Sequence, residues 1–356
     1  MMQSLNEKTW GAVQVDSFAD VMSGKDIYAS ERVDGERPYV TAGTANNGIG
    51  YFVGNDNNSV DSHVISVNRN GAVGEAFFHP YKALFGNDCR RLKVRESVAD
   101  DAQQFMAVAI KEQKGAFSYS RKLGTGRLQR LSVMLPVTDS GEPDYAYMAE
   151  YVQQKRNAML AKYRTYVEAR IAELGEVAEI PALDEKEWKE FRIGELFEVS
   201  RPKARNKDDY DMGDIPFVAS GAMNNGVMKC CKTCEGEQLD AGNCITVSPV
   251  DGSSFYQPMD FLGRGGAGSS ILMLRNNGLN LFRGEFMARM IQQTCSKYNY
   301  GHMGNKDSIK RERVMLPIDE DGKPDYAYME QYAKNMMLRK YRQYLAYLDR
   351  QKQWQE

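Results

Sequence analysis

Three cysteines lie close enough together to do chemistry. Cys230, Cys231 and Cys234 stand in "CCKTC", and the last two have the C-x-x-C spacing of a zinc or redox pair. A structural zinc needs four ligands, and no second pair follows at ligand spacing. Cys244 and Cys295 are scattered, and His63, His79 and His302 lie outside any metal pattern. Ordinary strand or loop cysteines are expected, and no metal site. A second candidate is "FLGRGGAG", Phe261 to Gly268, with G-x-G-x-x-G at Gly263, Gly265 and Gly268. The same stretch holds F-x-G-x-G at Phe261, Gly263 and Gly265, the pattern of an S-adenosylmethionine loop in methyltransferases. Such glycines cradle a cofactor between a buried strand and a helix, with an acidic residue on the next strand. Here they precede "SSILMLRNNG", which reads as a strand. No Asn/Asp-Pro-Pro-aromatic tetrapeptide exists to hold a target amine, and no lysine follows the last glycine as a phosphate loop requires. No Gly-x-Ser-x-Gly sequence marks a nucleophile. A surface loop is expected, with no catalytic residue and no cofactor.

Binding chemistry remains. "FSYSRKLGTGRLQRLS" offers Tyr119, Arg121, Lys122, Arg127 and Arg130. Lys297 and "YNYGHMGNKDSIKRER" offer Tyr300, His302, Lys306, Lys310, Arg311 and Arg313. A further basic run holds Arg201, Lys203, Arg205 and Lys207. Such residues clamp phosphates, and Arg, Lys and Asn also read base edges. From these runs Tyr119, Arg121, Lys122, Arg127, Arg201, Lys203, Lys297, Tyr300, His302 and Lys306, with Arg69, Arg264 and the pairs Asn46–Asn47 and Asn224–Asn225, form the candidate DNA-binding set. Any one run serves equally well as a solvated charged face. The net charge of −2 excludes a uniformly basic nucleic-acid binder. Local patches stay possible, because screening limits each charge to about 8–10 Å.

These residues belong to a repeat. "VMLPVTDSGEPDYAYM" (Val133 to Met148) returns as "VMLPIDEDGKPDYAYM" (Val314 to Met329), with 11 of 16 positions identical at an offset of 181. The two aromatic-basic stretches align without a gap. "TAGTANNGIG" (Thr41 to Gly50) and "ASGAMNNGVM" (Ala219 to Met228) stand 178 apart, as do Trp10 and Trp188. The chain is a tandem duplication. If its two halves read different ligands, what they share is scaffold. Asn-Gly between two β-like runs is then a hairpin turn made twice.

Each copy has two textures. Up to about Leu135 and Leu316, short β-branched and aromatic runs such as "PYVTA", "HVISV" and "CITVS" alternate with Gly and Asn clusters, which predicts a strand-rich domain. "FMAVAIKEQ" and "FMARMIQQ" predict one short helix in each. Beyond each "PDYAYM" an apolar stripe at spacings of 3 and 4 predicts a long helix. Its positions in the first copy are Tyr145, Met148, Val152, Met159, Tyr163, Val167, Ile171 and Leu174. Pro143 and Pro324 are expected to start the two helices. One stripe per rod predicts that the rods pack on each other as a coiled coil. The 356 residues, 42% apolar and 26% charged, suit two or three soluble domains. With no apolar run of 18 and no apolar N-terminal stretch, neither a membrane span nor a signal peptide is expected, and the location expected is cytoplasmic.

The tandem order, the "LP…D..G.PDYAYM" blocks, the long helix after each domain, and "F.IGELFEVSRP" and "PFVASGAMNNGV" resemble the specificity subunit of type I restriction–modification enzymes. The related type IIB specificity subunits share the pattern, and the resemblance covers essentially the whole chain. It implies an α+β fold of two tandem mixed α/β target recognition domains, each followed by a long helix. The helices would pack as an antiparallel coiled-coil spacer with pseudo-twofold symmetry. The boundaries are 1–143 for the first target recognition domain, 144–174 for its helix, 175–187 for a linker, 188–324 for the second domain and 325–356 for its helix. It also implies a non-catalytic reader of double-stranded DNA, each domain taking one half of a bipartite site. The helices would set the unread gap and dock methyltransferase subunits, with a motor-nuclease restriction subunit joining in type I systems. The first copy departs from the second where "VDSFADVMSGKDIYAS" stands against "IGELFEVSRPKARNK", so the two grips should differ there. Competing readings are an S-adenosylmethionine-dependent methyltransferase using the Phe261 loop, and a duplicated scaffold binding protein or glycan.

Overall fold

The computed structural model describes residues 3–266 and 270–353, with side chains as far as Arg350. It contains two compact units, Met1–Tyr163 and Arg164–Glu356. The first runs β1 (Trp10–Gln14), α1 (Val15–Phe18), β2 (Ala19–Ser23), β3 (Asp34–Val40), β4 (Ile49–Val53), β5 (Val64–Asn68), β6 (Ala76–His79), β7 (Leu84–Phe85) and β8 (Cys89–Val94). Then come α2 (Asp100–Lys111), α3 (Thr125–Gln129), β9 (Ser132–Pro136) and α4 (Tyr145–Leu174), whose last turns belong to the second unit. The second repeats the order as β10 (Trp188–Arg192), α5 (Ile193–Leu196), β11 (Glu198–Ser200), β12 (Met212–Val218), β13 (Val227–Cys231), β14 (Cys244–Val247), β15 (Ser254–Gln257), β16 (Leu262–Gly263) and β17 (Leu272–Arg275). It closes with α6 (Leu281–Cys295), α7 (Lys306–Arg311), β18 (Arg313–Pro317) and α8 (Tyr326–Gln353).

Each unit has a four-stranded antiparallel sheet, β2-β8-β5-β6 or β11-β17-β14-β15. Beside it lies a three-stranded mixed sheet, β4-β3-β7 or β13-β12-β16. Strand β5, "VISVN", is buried at every position because it serves two cores. Ile65 and Val67 pack with Met106 and Ile110 of α2, while Val64 packs with Val40 and Phe85 from the hairpin sheet. Strand β14 does the same, Ile245 and Val247 meeting Met287 and Ile291 of α6, and Cys244 meeting Val218 and Phe261. A strand between two apolar layers loses the in–out alternation of a half-exposed one.

Each domain closes on a two-stranded ladder. β1 pairs with β9 from Trp10↔Pro136 to Gln14↔Ser132, and β10 with β18 from Trp188↔Pro317 to Arg192↔Arg313. The long helices start differently from the sequence expectation. Asp144 and Asp325, not the prolines, open them: Asp144 Oδ1 accepts from the Tyr147 N–H at 3.0 Å and Asp325 Oδ1 from Tyr328 at 2.9 Å. A carboxylate satisfies orphan amide donors and complements the helix dipole, so proline is left one position outside. Lys8 and Lys186 complete the caps at 2.7 and 2.8 Å.

Burial alone would raise these two carboxyls, but the lysine and amide hydrogen bonds outweigh it and hold both below the ordinary 3.8. A lowered folded-state pKa stabilises fully above the unfolded value and is lost as pH falls through the folded value. Asp144→Asn and Asp325→Asn should each cost about 1–2 kcal/mol at pH 7. Urea unfolding at pH 7 and in the acid range checks this, since the gap between variant and parent should close as acid protonates the parent's carboxylate.

The apolar stripe of α4 is buried at Met148 and Val167 and half-buried at Val152, and every residue from Gln153 to Met159 is exposed. Within the second unit, the end of α4 runs antiparallel to α8. Arg164 meets Asp349 at 2.5 Å, Tyr166 lies edge-on to Tyr341, and Glu176 pairs with Arg342. The segment 175–187 is no free tether. Asn335 exchanges hydrogen bonds with both backbone groups of Ala178, and the Tyr328 hydroxyl donates to the Pro181 carbonyl. No helix among the described residues is long and apolar enough to cross a membrane.

Candidate nucleic-acid interface

The duplicated Asn-Asn-Gly forms a hairpin turn in both units. Asn46, Asn47 and Gly48 have φ of 49°, 52° and 76°, and Asn224, Asn225 and Gly226 have 50°, 53° and 75°. Asparagine tolerates this left-handed region better than most side chains. At the third position a Cβ would lie 3.0 Å from the Thr41 or Ala219 carbonyl oxygen, so glycine is required there. The Thr41 N–H donates to Gly48 at 2.7 Å and the Ala219 N–H to Gly226 at 2.9 Å. The turn is one piece of scaffold made twice.

Two further connections meet each hairpin, and here the copies diverge. Eight residues separate Val67 from Ala76, against six between Val247 and Ser254. Six separate Phe85 from Leu92, against ten between Gly263 and Leu274. In the first unit, the Asn68 side chain donates to Gly43 and the Ala72 N–H to Ala42, tying the longer turn to the hairpin. In the second, the Ser220 hydroxyl donates to the Ser270 carbonyl at 2.8 Å, tying the longer connection there. Lengths differ elsewhere too, as in 54–63 against 232–243, but at the opposite end of β5 and β14. That end carries Asp56 and Asp61, or Glu237 and Asp240, each paired within its own unit with Arg37, with Arg91 and Lys93, or with Arg205.

A tyrosine-tipped loop joins the hairpin end. Tyr119–Ser120 is a two-residue tip between Ser118 and Arg121, and Tyr300–Gly301 is the same between Asn299 and His302. Tyr119 is 72% exposed and Tyr300 84%. Lys122 Nζ lies 4.6 Å from the Tyr119 ring centre, Arg121 lies near Phe117, and His302 stacks on Tyr298 at 5.7 Å. The loops are anchored to the neighbouring turns. The Gly304 N–H donates to Pro249, and Arg90 Nε donates to Thr125 Oγ1 at the base of the first loop.

The other candidates fall into place around this end. Arg69 pairs with Asp88 at 3.0 Å, and Arg264 is half-buried beside the hairpin strand, its N–H donating to Val218. Arg201 and Lys203 are exposed, and the Lys203 carbonyl accepts from Gly265. Arg127 donates to the Lys122 carbonyl, Lys297 pairs with Glu312 at 2.6 Å, and Lys306 opens α7. Sequence reasoning missed Asn70 and Asp88, which meet at 3.4 Å beside Arg69. The changes in repeat offset around the hairpin were the signal that pointed to them.

Three apparent sites dissolve on inspection. Arg205 is no surface cation: it is buried, with Nε on Glu237 at 2.8 Å, Nη1 on Asp240 at 2.7 Å and the Gly263 carbonyl, and Nη2 on the Gln238 carbonyl. Gly263 and Gly265 are glycine because a Cβ would meet Pro202 at 2.8 and 2.1 Å, so close chain approach accounts for both. Gly268 of the same pattern lies outside the described residues. His79 lies 2.8 Å from the Ser66 hydroxyl, like a base beside a nucleophile, and burial lowers its pKa to about 4. The second copy keeps that geometry with Gln257 and Thr246 at 3.0 Å, a pair without that chemistry. Both pairs bind β6 or β15 to its neighbour. Cys230 and Cys234 are exposed and Cys231 is buried, all with free thiols.

Each unit also carries an apolar groove, of about 670 Å³ beside Trp10, Phe105 and Tyr151 and about 380 Å³ beside Trp188, Phe286 and Tyr332. The two groups of residues correspond at the repeat offsets. Phe105 meets Tyr151 edge-on at 5.8 Å, and Phe286 meets Tyr332 edge-on at 5.6 Å.

Two copies of one scaffold, alike in hairpin and groove and unlike in the connections between, make a duplicated recognition protein. The chain belongs to the family described as the type I restriction modification DNA specificity domain, which matches it twice, over residues 7–162 and 185–344. Among characterised proteins it is similar to the specificity subunit S.BcgI of the type II restriction enzyme BgcI from Heyndrickxia coagulans. The two are 33% identical over 162 residues, 45% of this chain and 48% of that protein, so the match spans about half of the relative. Among solved structures it is similar to the S subunit of a type I restriction–modification system from M. genitalium. That similarity has 15% identity, covers 98% of this chain and 95% of the other, and has a TM-score of 0.49. The HsdS subunit from Thermoanaerobacter tengcongensis gives 13%, 96%, 91% and 0.30.

Proposed function

We propose that this chain is the non-catalytic DNA-reading subunit of a cytoplasmic restriction–modification assembly. Domains 1–143 and 188–324 each read one half of a bipartite duplex site through the hairpin end. The segments 144–174 and 325–356, with 175–187 between, set the unread gap. The observation that carries this reading is the hairpin end itself: a shared turn and tyrosine tip, basic surroundings, and unlike neighbouring connections. Shared residues suit contacts that any sequence offers, such as phosphate and sugar, while unshared ones suit base edges. Methyltransferase subunits supply the chemistry, and a motor-nuclease subunit joins if the assembly is of type I. The paired apolar grooves, each beside the first turns of a long helix, support docking of two copies of one partner. Selection from a random duplex library by the chain with its methyltransferase should return two short fixed half-sites separated by a fixed length of any sequence. A single continuous site, or none, would sink the reading. Binding should also fall steeply with salt, because phosphate contacts release counterions.

A further inference from the structure

Among the described residues, four arginines bury their Nε without an acceptor: Arg69, Arg91, Arg264 and Arg283. Arg91 and Arg283 have structural duties elsewhere, the first holding Asp61 and the Ser23 carbonyl, the second holding Glu330 and the Gly278 carbonyl. Arg69 and Arg264 stand at the hairpin ends of their units. Neither is shared. Arg264 falls opposite Gly86, since the Arg264 N–H donates to Val218 as the Gly86 N–H donates to Val40. Arg69 lies in the turn that is longer by two residues in the first copy, just after Asn68, where the second copy has Pro249 following Ser248.

Both are held from behind. Asp88 takes the Arg69 N–H on its carbonyl at 2.7 Å and Arg69 Nη2 on its carboxylate, and the same carboxylate takes Asn70 Nδ2. The Arg264 backbone is clamped on both sides, its carbonyl accepting from Ile271 at 3.0 Å. Arg69 is held by its guanidinium and Arg264 by its backbone. Both are half-buried, with Nε covered, so the end of the fork that carries Nη1 and Nη2 is the side left for an acceptor that arrives from outside. Arg205 is the contrast, since its Nε, Nη1 and Nη2 all have partners.

We propose that Arg69 and Arg264 are the specificity-determining arginines of the two domains, each reading a guanine edge in its own half-site. This rests on the DNA-reading function proposed above. Two domains that read different sequences must differ where they read. Each arginine sits on a connection whose length its own copy alone has, beside a turn both copies share. An arginine fork matches guanine O6 and N7. Asp88 and Asn70 are positioning residues for the first reader.

The test is selection from a randomised bipartite library by the chain in complex with its methyltransferase, comparing parent, Arg69→Ala, Arg69→Lys and Arg264→Ala. Arg69→Ala should reduce preference for one G·C pair in one half-site by roughly 10- to 100-fold and leave the other half-site unchanged. Arg264→Ala should do the converse. Arg69→Lys keeps the charge without the fork, so it should keep overall binding yet lose the same discrimination. Preferences unchanged in both half-sites, or weakened at all positions together, overturn the assignment. A parent complex that selects no bipartite site overturns the function proposed above, and this inference with it.

Discussion

Gly252→Ala is expected to unfold most of what makes the second domain a reader. Gly252 has φ of 73°, and a Cβ there would lie 2.1 Å from the Cys295 carbonyl oxygen at the end of α6. The left-handed backbone alone costs an alanine about 1–2 kcal/mol. The contact is with backbone, so no rotamer change relieves it, and overpacking of this kind adds about 1–3 kcal/mol. The turn must lift off the helix, and Pro249 in that turn holds the tyrosine loop through Gly304. A loss of about 3 kcal/mol in urea unfolding should therefore accompany loss of selection at one half-site only. Gly74 is the matching glycine, with φ of 84° and a Cβ position 2.9 Å from the Lys114 Cα. Gly74→Ala should damage the other half-site. Full stability in Gly252→Ala would show that the turn is free of the helix.

Arg205→Met should be the second large effect. Its side chain is 3% exposed and faces two carboxylates, Glu237 and Asp240, that are themselves mostly covered. Removing one partner of a buried ionic cluster leaves uncompensated charge and costs about 3–5 kcal/mol. The burial of Glu237 would raise its pKa, but hydrogen bonds from Arg205 and Tyr210 outweigh this and hold it low. Without Arg205, protonation becomes favourable, so the variant should recover part of its deficit as pH falls while the parent does not. Arg205→Lys should rescue little, because an ammonium cannot serve two carboxylates and two carbonyls from one plane. A variant as stable as the parent across that range would contradict the account of the cluster.

The sequence revealed the architecture more readily than the chemistry, for physical reasons. Duplication is visible as identity, so the hairpin turns, the ladder tryptophans and the two long helices could be anticipated from "NNG", Trp10, Trp188 and "PDYAYM". Proline was a weaker guide than the aspartate beside it, because a cap depends on which group satisfies the first amides. Charge type gave no sign of burial. Arg205 sits between Lys203 and Lys207 in the chain, yet its partners come from 32 to 58 residues away. Likewise Asp88 belongs with Arg69 only because a turn and a connection meet at one hairpin.

The ladder that closes each domain has a consequence for inheritance. Gln14 and Ser132 face each other across it, as do Arg192 and Arg313, and such partners lie about 5 Å apart. The chain therefore leaves the first domain where it entered, and everything from Val15 to Leu131 hangs from two adjacent ends. A foreign segment whose own ends meet at that spacing is expected to fit between Gln14 and Ser132 without disturbing Asp144 or the helix it caps. Recombination at those two points would exchange one half-site for another in a single event. On the function proposed above, new specificities would then arise by shuffling whole readers. The groove wall on α4 with Tyr151 stays in place, while the wall on α2 with Phe105 travels with the exchanged segment and must keep its fit to Tyr151.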